Sequence, residues 1–166
     1  LLGTRVIPLV IAKEKMEQVK KTAGETPLVS LTPYKKKTVG IVTTGNEVYY
    51  GRIKDTFTPV VIEKMKEYGI EVCGHILCDD DMKKITKAIL ELKEKGAEMI
   101  VCTGGMSVDP DDKTPGAIKA TGARIVSYGA PVLPGAMFLL SYLEDGTPVM
   151  GLPGCVMYAK ATVFDL

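Results

Sequence analysis

Apolar and polar positions alternate along residues 38–166 in blocks that have the lengths of strands and helices. Continuous apolar, β-branched runs at 38–44 and 97–103 are typical of strands buried on both faces, and 70–78 is a third strand-like run. Between them, apolar residues spaced three and four apart predict one helix that ends near Gly69 and another that ends near Gly96. This half of the chain therefore predicts strands that alternate with helices.

Capping residues place the starts of these predicted helices. Thr58 is the expected N-cap of the first helix, with Pro59 at its first position. Either Asp80 or Asp81 caps the second, whose apolar stripe begins at Met82. A short third helix is expected to begin at Thr114 and Pro115 and to end at Gly122.

The remaining segments complete an α/β pattern. The run 123–129 is strand-like, 147–152 predicts another strand, and 137–143 fits either a helix or a strand. A terminal helix is expected after Pro153-Gly154. Strands that alternate with helices of this length predict an α/β fold with three layers, α/β/α, built on a mostly parallel sheet.

Residues 1–37 differ from the rest and predict an appended N-terminal element. They contain a strand-like run at 3–11, an amphipathic stretch at 12–24, and a stretch rich in Pro and Lys that resembles a linker. We therefore expect an appended unit at 1–37 and an α/β domain at 38–166. Because the first residue is Leu1 and the end is an apolar helical pattern, we expect a fragment of a longer protein.

Charge and composition narrow the classes of partner that this protein is expected to bind. The chain has 21 Lys and Arg against 20 Asp and Glu, so it has no global field that would attract nucleic acid or anionic lipid. No apolar run reaches the roughly 18 to 20 residues that cross a bilayer, and the start does not resemble a signal peptide. We expect a cytoplasmic protein whose partner is a small molecule, with no nucleic acid and no membrane.

The cysteines and the single histidine do not indicate a site. Four cysteines are scattered through the chain, and reduced thiols are expected at Cys73, Cys78, Cys102 and Cys155. Their spacing is not that of a zinc site. His75 lies in a strand-like run without a nucleophile elbow nearby, so it is interpreted as a strand residue rather than a catalytic base.

Residue types that chemistry needs follow the predicted strands. Glycines in strand-to-helix turns let main-chain N–H groups close on an anion, and carboxylates hold Mg²⁺ together with substrate phosphates. Because parallel strands end at one edge of a sheet, these loops should meet there. The loops are Thr44-Gly45 with Glu47, the run Asp79-Asp80-Asp81, Thr103-Gly104-Gly105 with Ser107, Asp109, Asp111 and Asp112, and Pro153-Gly154.

Each feature also has a structural explanation. A Gly-Gly turn after a strand serves packing as often as binding, and one of the three consecutive aspartates is explained as a helix cap. Thr114 and Pro115 are interpreted as residues of a helix start and nothing more. The chain has neither G-x-x-x-x-G-K-[ST] nor G-x-G-x-x-G after its first strand, which excludes a P-loop NTPase and disfavours an ordinary Rossmann domain.

The motifs taken together resemble a known family. T-G-N-E at 44–47, the D-T pair at 55–56, the acidic run at 79–81, T-G-G-x-S-V-x-x-x-D at 103–112 and L-P-G at 152–154 resemble the molybdopterin-binding domain. This domain is shared by molybdopterin molybdenumtransferases and molybdopterin adenylyltransferases, and the chain resembles the molybdenumtransferases more closely. The resemblance covers about residues 38–166, and the three-layer fold of the family agrees with the predicted one.

The resemblance implies an enzyme of molybdenum cofactor biosynthesis. Such an enzyme binds adenylylated molybdopterin and molybdate as substrates and, with Mg²⁺, inserts the metal and releases AMP. Carried over by position, Glu47, Asp80 and Asp112 would be the catalytic and metal-binding carboxylates. The residues implied to bind the substrate are Thr44, Gly45, Asp55, Asp79, Thr103, Gly104, Gly105, Ser107, Pro153 and Gly154. Because relatives form dimers or trimers, a homo-oligomer is expected.

The chain departs from the family pattern at several positions. Phe57 replaces an asparagine, Asp109-Pro110 stands where a glycine is common, and Cys155-Val156 replaces the Asn-Pro of P-G-N-P. These departures keep two alternatives open. One is a binding module for molybdopterin or a nucleotide without turnover, and the other is a pyrophosphatase-like relative of the competence-damage proteins.

Overall fold

The computed structural model describes residues 8–26, 29–33, 35, 37–107, 109 and 111–165. The chain divides into two compact units, Leu1–Tyr34 and Lys35–Leu166. Among these residues no helix is long and apolar enough to cross a membrane.

The described residues of the first unit contain one helix, α1 (Lys13–Ala23), where the amphipathic stretch was expected. Gly24, at φ 69°, follows its last turn, and its amide donates to the Lys20 carbonyl. The strand expected at 3–11 is wrong for residues 8–11, which have no regular structure, and its first five residues lie outside the described ones. A run as short as 8–11, containing Pro8, has no neighbouring strand to pair with among the described residues of this unit.

The second unit contains six strands and four helices among the described residues. The strands are β1 (Thr38–Thr44), β2 (Glu71–Cys78), β3 (Met99–Thr103), β4 (Arg124–Tyr128), β5 (Leu139–Tyr142) and β6 (Pro148–Leu152). The helices are α2 (Asn46–Tyr49), α3 (Phe57–Glu67), α4 (Met82–Glu94) and α5 (Thr114–Ala120).

All six strands form one sheet, in the order β2-β1-β3-β6-β5-β4. The pairs β1–β2, β1–β3 and β3–β6 are parallel, whereas β5 runs antiparallel to both β6 and β4. The prediction of a mostly parallel sheet is therefore confirmed, and the antiparallel part is confined to the last three strands. Segment 137–143, which fitted either a helix or a strand, contains β5.

Helices cover both faces of this sheet, which confirms the three-layer fold. On one face, Ile89 of α4 and Ile118 of α5 are fully buried in a core cluster with Val42 of β1. On the other face, Val61 of α3 is fully buried with Val101 of β3. Alternate residues of each central strand thus enter opposite cores, as expected for strands buried on both sides.

Helix α3 begins two residues earlier than predicted. Its N-cap position is Thr56, and Thr58 lies within the first turn with a buried side chain. The capping group is instead the carboxylate of Asp55, whose Oδ1 accepts hydrogen bonds from the amides of Phe57 (2.9 Å) and Thr58 (3.0 Å). A carboxylate two residues before the helix satisfies the same free amides as an N-cap side chain would, so Pro59 is no longer at the first position.

Three further expectations need correction. The loop after β1 contains a single helical turn, α2. No α-helix follows Pro153-Gly154 in the described residues, which form short 3₁₀ turns at Gly154–Met157 and Val163–Asp165. Met82, expected on the buried stripe of α4, is the first residue of that helix and is 43% exposed.

Strand β4 forms one border of the sheet and is exposed on both faces. Its pairing with β5 shifts register between Ile125 and Ser127, so Val126 is an irregular residue in the ladder. The four cysteines are free, in agreement with the expected reduced thiols.

Candidate functional site

The carboxyl ends of four parallel strands lie side by side at one edge of the sheet. Thr44 at the end of β1 is level with Cys78 of β2, and Thr43 is level with Thr103 of β3. Thr103 is in turn level with Leu152 of β6. The four loops that follow therefore share one edge, called here the strand-end rim. It comprises residues 44–47, 79–81, 103–107, 109, 111–112 and 152–155.

The Gly104-Gly105 turn crosses directly over the end of β1. Both glycines have positive φ, 84° and 53°. A Cβ atom on Gly104 would lie 2.2 Å from the carbonyl oxygen of Thr44, and one on Gly105 would lie 2.9 Å from Thr114 Oγ1. Only glycine allows this approach, so the turn presents bare backbone at the rim.

Thr114 ties this turn to β1. Its hydroxyl donates to the carbonyl of Gly104 (2.8 Å) and lies 3.2 Å from Thr44 Oγ1, and its side chain is fully buried. The sequence interpretation of Thr114 as a helix-start residue alone was therefore wrong. The local pattern at 114–115 gives no sign of a partner 70 residues away, so sequence reasoning could not identify this contact.

Ser107 brings two carboxylates together. Its Oγ lies 2.7 Å from Asp112 Oδ2 and 3.0 Å from Asp109 Oδ2. A serine hydroxyl has one proton, so it can donate to only one of these oxygens. At the other contact, the serine oxygen and a carboxylate oxygen face each other without a hydrogen between them. Such a set of hard oxygen atoms is suited to a divalent cation.

Asp80 is held against the loop after β1 by Asn46. The amide of Asn46 donates to Asp80 Oδ2 (3.0 Å), and the amide of Asp80 donates to Asn46 Oδ1 (3.3 Å). This reciprocal pair joins the loops of β1 and β2. Sequence reasoning did not select Asn46, although its place between Gly45 and Glu47 was the available signal.

Asp79 and Asp81 have separate structural roles. Asp81 is the N-cap of α4, with Oδ1 accepting from the amides of Lys83 (2.8 Å) and Lys84 (3.0 Å), and these bonds, the Lys84 one first, lower its pKa. The alternative that left the cap at Asp80 or Asp81 is thus decided for Asp81. Asp79 is buried, and its Oδ2 accepts from Lys84 Nζ at 2.6 Å. Its Oδ1 has no partner among the described residues.

Glu47 and Gly45 lie at the single turn α2. Glu47 is exposed, and Gly45 precedes the turn at φ 137°, with open space where a Cβ would be. Thr103 is fully buried, and its hydroxyl has no hydrogen-bond partner among the described residues. An unpaired buried hydroxyl at the end of a central strand is costly unless a water or ligand satisfies it.

A pocket of about 530 Å³ opens at one end of the rim. It brings together six of the predicted site residues, namely Gly104, Gly105, Ser107, Asp112, Pro153 and Gly154. Its remaining lining residues, which sequence reasoning did not select for the site, are Phe57, Met106, Leu133, Pro134, Gly135, Ala136, Met137, Leu152 and Cys155. The segment 133–137 lies just before β5, where no strand-end rule directs attention to it.

The other predicted site residues lie outside this pocket. They are Thr44, Gly45, Glu47, Asp55, Asp79, Asp80 and Thr103. Thr44 contacts the loop after β3, called here the pocket loop, through Thr114 and Gly104, while the Asp55 carboxylate accepts a hydrogen bond from the amide of the pocket residue Phe57. No group of three His, Cys, Asp or Glu side chains within the described ranges converges as a metal-binding cluster. The side chains of Glu47, Asp80 and Asp112 accordingly do not form one preassembled cage.

Tyr128 of β4 forms a hydrogen bond with the backbone of the pocket loop. Its hydroxyl donates to the carbonyl of Ser107 at 3.3 Å. Burial raises the pKa of Tyr128, and the negative charge of Asp112 raises it further. The phenol is therefore a neutral hydrogen-bond donor at pH 7, and it fixes the backbone next to the serine.

His75 forms a small polar cluster beneath the start of α3. Its Nε2 lies 2.9 Å from Thr43 Oγ1 and 3.4 Å from Thr58 Oγ1, and the two hydroxyls are 2.6 Å apart. Burial lowers the pKa of His75, and the charge of Asp55 partly opposes this shift. The interpretation of His75 as a strand residue is confirmed, since it lies in β2.

Known proteins resemble this chain in sequence and in fold. A family model for a probable molybdopterin binding domain matches residues 40–166. The molybdopterin biosynthesis enzyme MoaB of Thermus thermophilus superposes with a TM-score of 0.62 at 25% identity, covering 71% of this chain and 81% of that one. The protein CinA of Thermoplasma acidophilum superposes with a TM-score of 0.57 at 21% identity, covering 72% of this chain and 89% of that one.

The matched curated relatives are longer proteins. A CinA-like protein of Mycobacterium avium is 35% identical over 75 residues, which are 45% of this chain and 17% of that protein. The match therefore spans less than a fifth of the relative, and likeness to it concerns this stretch alone.

Proposed function

The chain belongs to the family of molybdopterin-binding domains, and from that premise we propose that it acts in molybdenum cofactor biosynthesis as a molybdenumtransferase. In this reaction it binds adenylylated molybdopterin, inserts molybdate, and releases AMP in the presence of Mg²⁺. The observation that carries the proposal is the pocket in which Ser107 and Asp112 adjoin the Gly104-Gly105 turn. The chain, whose formal net charge is +1, binds an anion there through backbone groups rather than through a basic patch.

The phosphate end of the substrate is assigned to the Gly104-Gly105 turn. Both glycines have positive φ and no side chain, so their amides can approach an oxyanion closely. The described lining of the pocket contains no Lys or Arg, and its one charged side chain is the carboxylate of Asp112. Backbone donors and a cation must then supply the attraction for a phosphate.

Asp112, with Ser107 and Asp109, fits a hard divalent cation. The donor atoms are all oxygen, and two carboxylates share one hydroxyl proton. Mg²⁺ commonly takes one or two carboxylates, keeps several waters and binds substrate phosphates, so three converging side chains are not required. When bound, it would neutralise phosphate charge and stabilise the departing AMP.

The other two carboxylates are assigned to the same edge. Asp80 is oriented by its reciprocal hydrogen bonds with Asn46, and Glu47 directly follows Asn46 in the single turn α2. In the proposal they act on the cation, on the nucleotide, or on the attacking group. Thr114 is a positioning residue, because it fixes the carbonyl of Gly104 without lining the pocket itself.

A second candidate is a pyrophosphatase-like activity on a dinucleotide. It is favoured by the 35% identity to a CinA-like protein over 75 residues of this chain. A third is a module that binds molybdopterin or a nucleotide without turnover. It is favoured by the departures from the family pattern at Phe57, Asp109-Pro110 and Cys155-Val156.

One titration separates these candidates. Adenylylated molybdopterin is incubated with the chain and Mg²⁺, with and without molybdate, and AMP is followed by chromatography. AMP that forms only with molybdate supports the transferase. AMP that forms without molybdate supports the pyrophosphatase-like activity, and binding without AMP supports the carrier module. Absence of binding would contradict all three.

A further inference from the structure

The pocket is apolar over most of its wall, and Phe57 is its one aromatic residue among those described. Phe57 stands at the first position of α3, with its side chain half-buried against the core cluster that contains Leu152. Its amide is held by Asp55 Oδ1 at 2.9 Å, so the ring starts from a fixed backbone. A half-buried ring with a fixed base offers a surface on which a flat ligand can stack.

A second wall of the pocket, the segment 133–137, is also fixed. The amide of Ala130 donates to the Ala136 carbonyl (2.8 Å), and that of Phe138 donates to Gly135 (2.9 Å). Gly135 lies so close to Val163 that a Cβ would be 2.6 Å from its Cγ1. The pocket is therefore formed before any ligand enters, which lowers the ordering cost of binding.

Few side-chain groups in this pocket are free to recognise the edge of a ring. Ser107 and Asp112 carry its strong hydrogen-bonding side-chain groups among the described residues, and they are 2.7 Å apart and bonded to each other. Pro134 and Pro153 have no N–H group. The carbonyls that already accept a hydrogen bond are those of Gly104, Ser107, Pro134, Gly135, Ala136, Pro153 and Cys155.

We propose that Phe57 makes the pocket selective for ligands with a flat aromatic heterocycle joined to a phosphate, without selecting which heterocycle. This inference rests on the proposed function, because it places the phosphate at the Gly104-Gly105 turn. Stacking tolerates every ring with a π-face, whereas discrimination between rings needs hydrogen bonds to their edges. The substrate class is accordingly a purine or pterin phosphate, accepted on ring shape.

The test compares ligands with and without a ring in the presence of Mg²⁺. AMP, GMP and ribose 5-phosphate are titrated calorimetrically into the chain and into Phe57→Leu and Phe57→Tyr variants. AMP and GMP present opposite donors and acceptors at their edges, so a stacking pocket should bind them within about threefold of each other. AMP should bind at least about tenfold more tightly than ribose 5-phosphate.

The variants decide the role of Phe57. Phe57→Leu should remove most of the advantage of AMP over ribose 5-phosphate and leave the affinity for ribose 5-phosphate unchanged, while Phe57→Tyr should keep the advantage. Tyr142→Leu is the matched control, since Tyr142 is also a half-buried aromatic residue and lies at the opposite end of the strands. It should change none of the affinities.

Two outcomes overturn the inference and leave the proposed function standing. One is an unchanged advantage of AMP in Phe57→Leu, and the other is a difference of more than about thirtyfold between AMP and GMP, which would require edge recognition. If the unaltered chain binds neither AMP nor ribose 5-phosphate, the anion site itself is absent, and both the proposed function and this inference fail.

Discussion

The hydroxyl oxygens of Thr44 and Thr114 lie 3.2 Å apart in the interior, although the two residues are separated by 70 positions in the chain. Thr114 also donates to the carbonyl of Gly104, so one side chain links β1, the Gly-Gly turn and the start of α5. The pocket loop is thereby attached to the sheet by hydrogen bonds as well as by the chain itself.

Replacing Thr114 by valine should destabilise the protein. The variant keeps the shape of the side chain but leaves the carbonyl of Gly104 and the hydroxyl of Thr44 without their partner, which costs about 1–3 kcal/mol. Urea unfolding followed by circular dichroism measures the free energy of unfolding. Thr114→Ser is the control, because it retains the hydroxyl. Equal stability of the valine variant and the unaltered chain would contradict this role.

Glycine should be required at 104 and dispensable at 154. A Cβ at Gly104 would lie 2.2 Å from the Thr44 carbonyl oxygen, at φ 84°, whereas Gly154 has open space around it and no positive φ. We expect Gly104→Ala to lower the melting temperature by several degrees or to prevent folding, and Gly154→Ala to leave it nearly unchanged. Differential scanning calorimetry compares the two. Similar melting temperatures would show that the turn moves to accept a side chain.

Asp112→Asn should preserve the fold and remove turnover. The amide keeps the size of the side chain and a hydrogen bond with Ser107, but it loses the charge proposed to hold the cation. Release of AMP should fall by about a hundredfold or more. Asp145→Asn, which alters an exposed carboxylate paired with Lys93, is the control. Normal AMP release by a folded Asp112→Asn variant would remove this residue from the site.

Much of the architecture could be predicted because it depends on local pattern. The apolar runs at 38–44 and 97–103 predicted buried strands, which are β1 and β3, and the stripe Ile85, Ile89 and Leu92 predicted one face of a helix, which is α4. The same reliance on local pattern made the prediction of a terminal helix wrong. The apolar residues of the terminal segment follow a helical spacing, yet they form two short turns that pack Val156 and Phe164 against α3 and the sheet.

Sequence reasoning predicted only those residues of the candidate site that follow the ends of parallel strands. The parallel-sheet rule brought the glycines and carboxylates to one edge, but it could not separate Asp112, which lines the pocket, from Asp80, which is bonded to Asn46 outside it. The wall at 133–137 precedes an antiparallel strand, so no rule for parallel sheets refers to it. Phe57 was noted as a departure from the family pattern and not as a residue that lines the pocket.

Stability should decrease on acidification through His75. The folded-state pKa of His75 is lowered from its ordinary value of 6.5 by burial, with Asp55 as the charged neighbour that opposes the shift. Below about pH 6.5 the unfolded chain therefore binds more protons than the folded one, and the free energy of unfolding falls as pH falls. The contribution is fully present above that pH.

The His75→Gln variant measures this contribution. Glutamine retains a polar group near Thr43 and Thr58 but does not titrate in this range. The free energy of unfolding, measured by urea between about pH 5 and pH 8, should have a smaller slope in the variant than in the unaltered chain. Parallel slopes would assign the pH dependence to other groups.

The irregular residue at Val126 has a consequence for crowded conditions. An outermost strand with free amides and carbonyls at regular spacing can recruit strands from other molecules and start a fibril. In β4 that spacing is interrupted between Ile125 and Ser127, midway along five residues. The interruption leaves two residues of β4 on either side, so the regular run of free amides and carbonyls that a recruited strand needs is short.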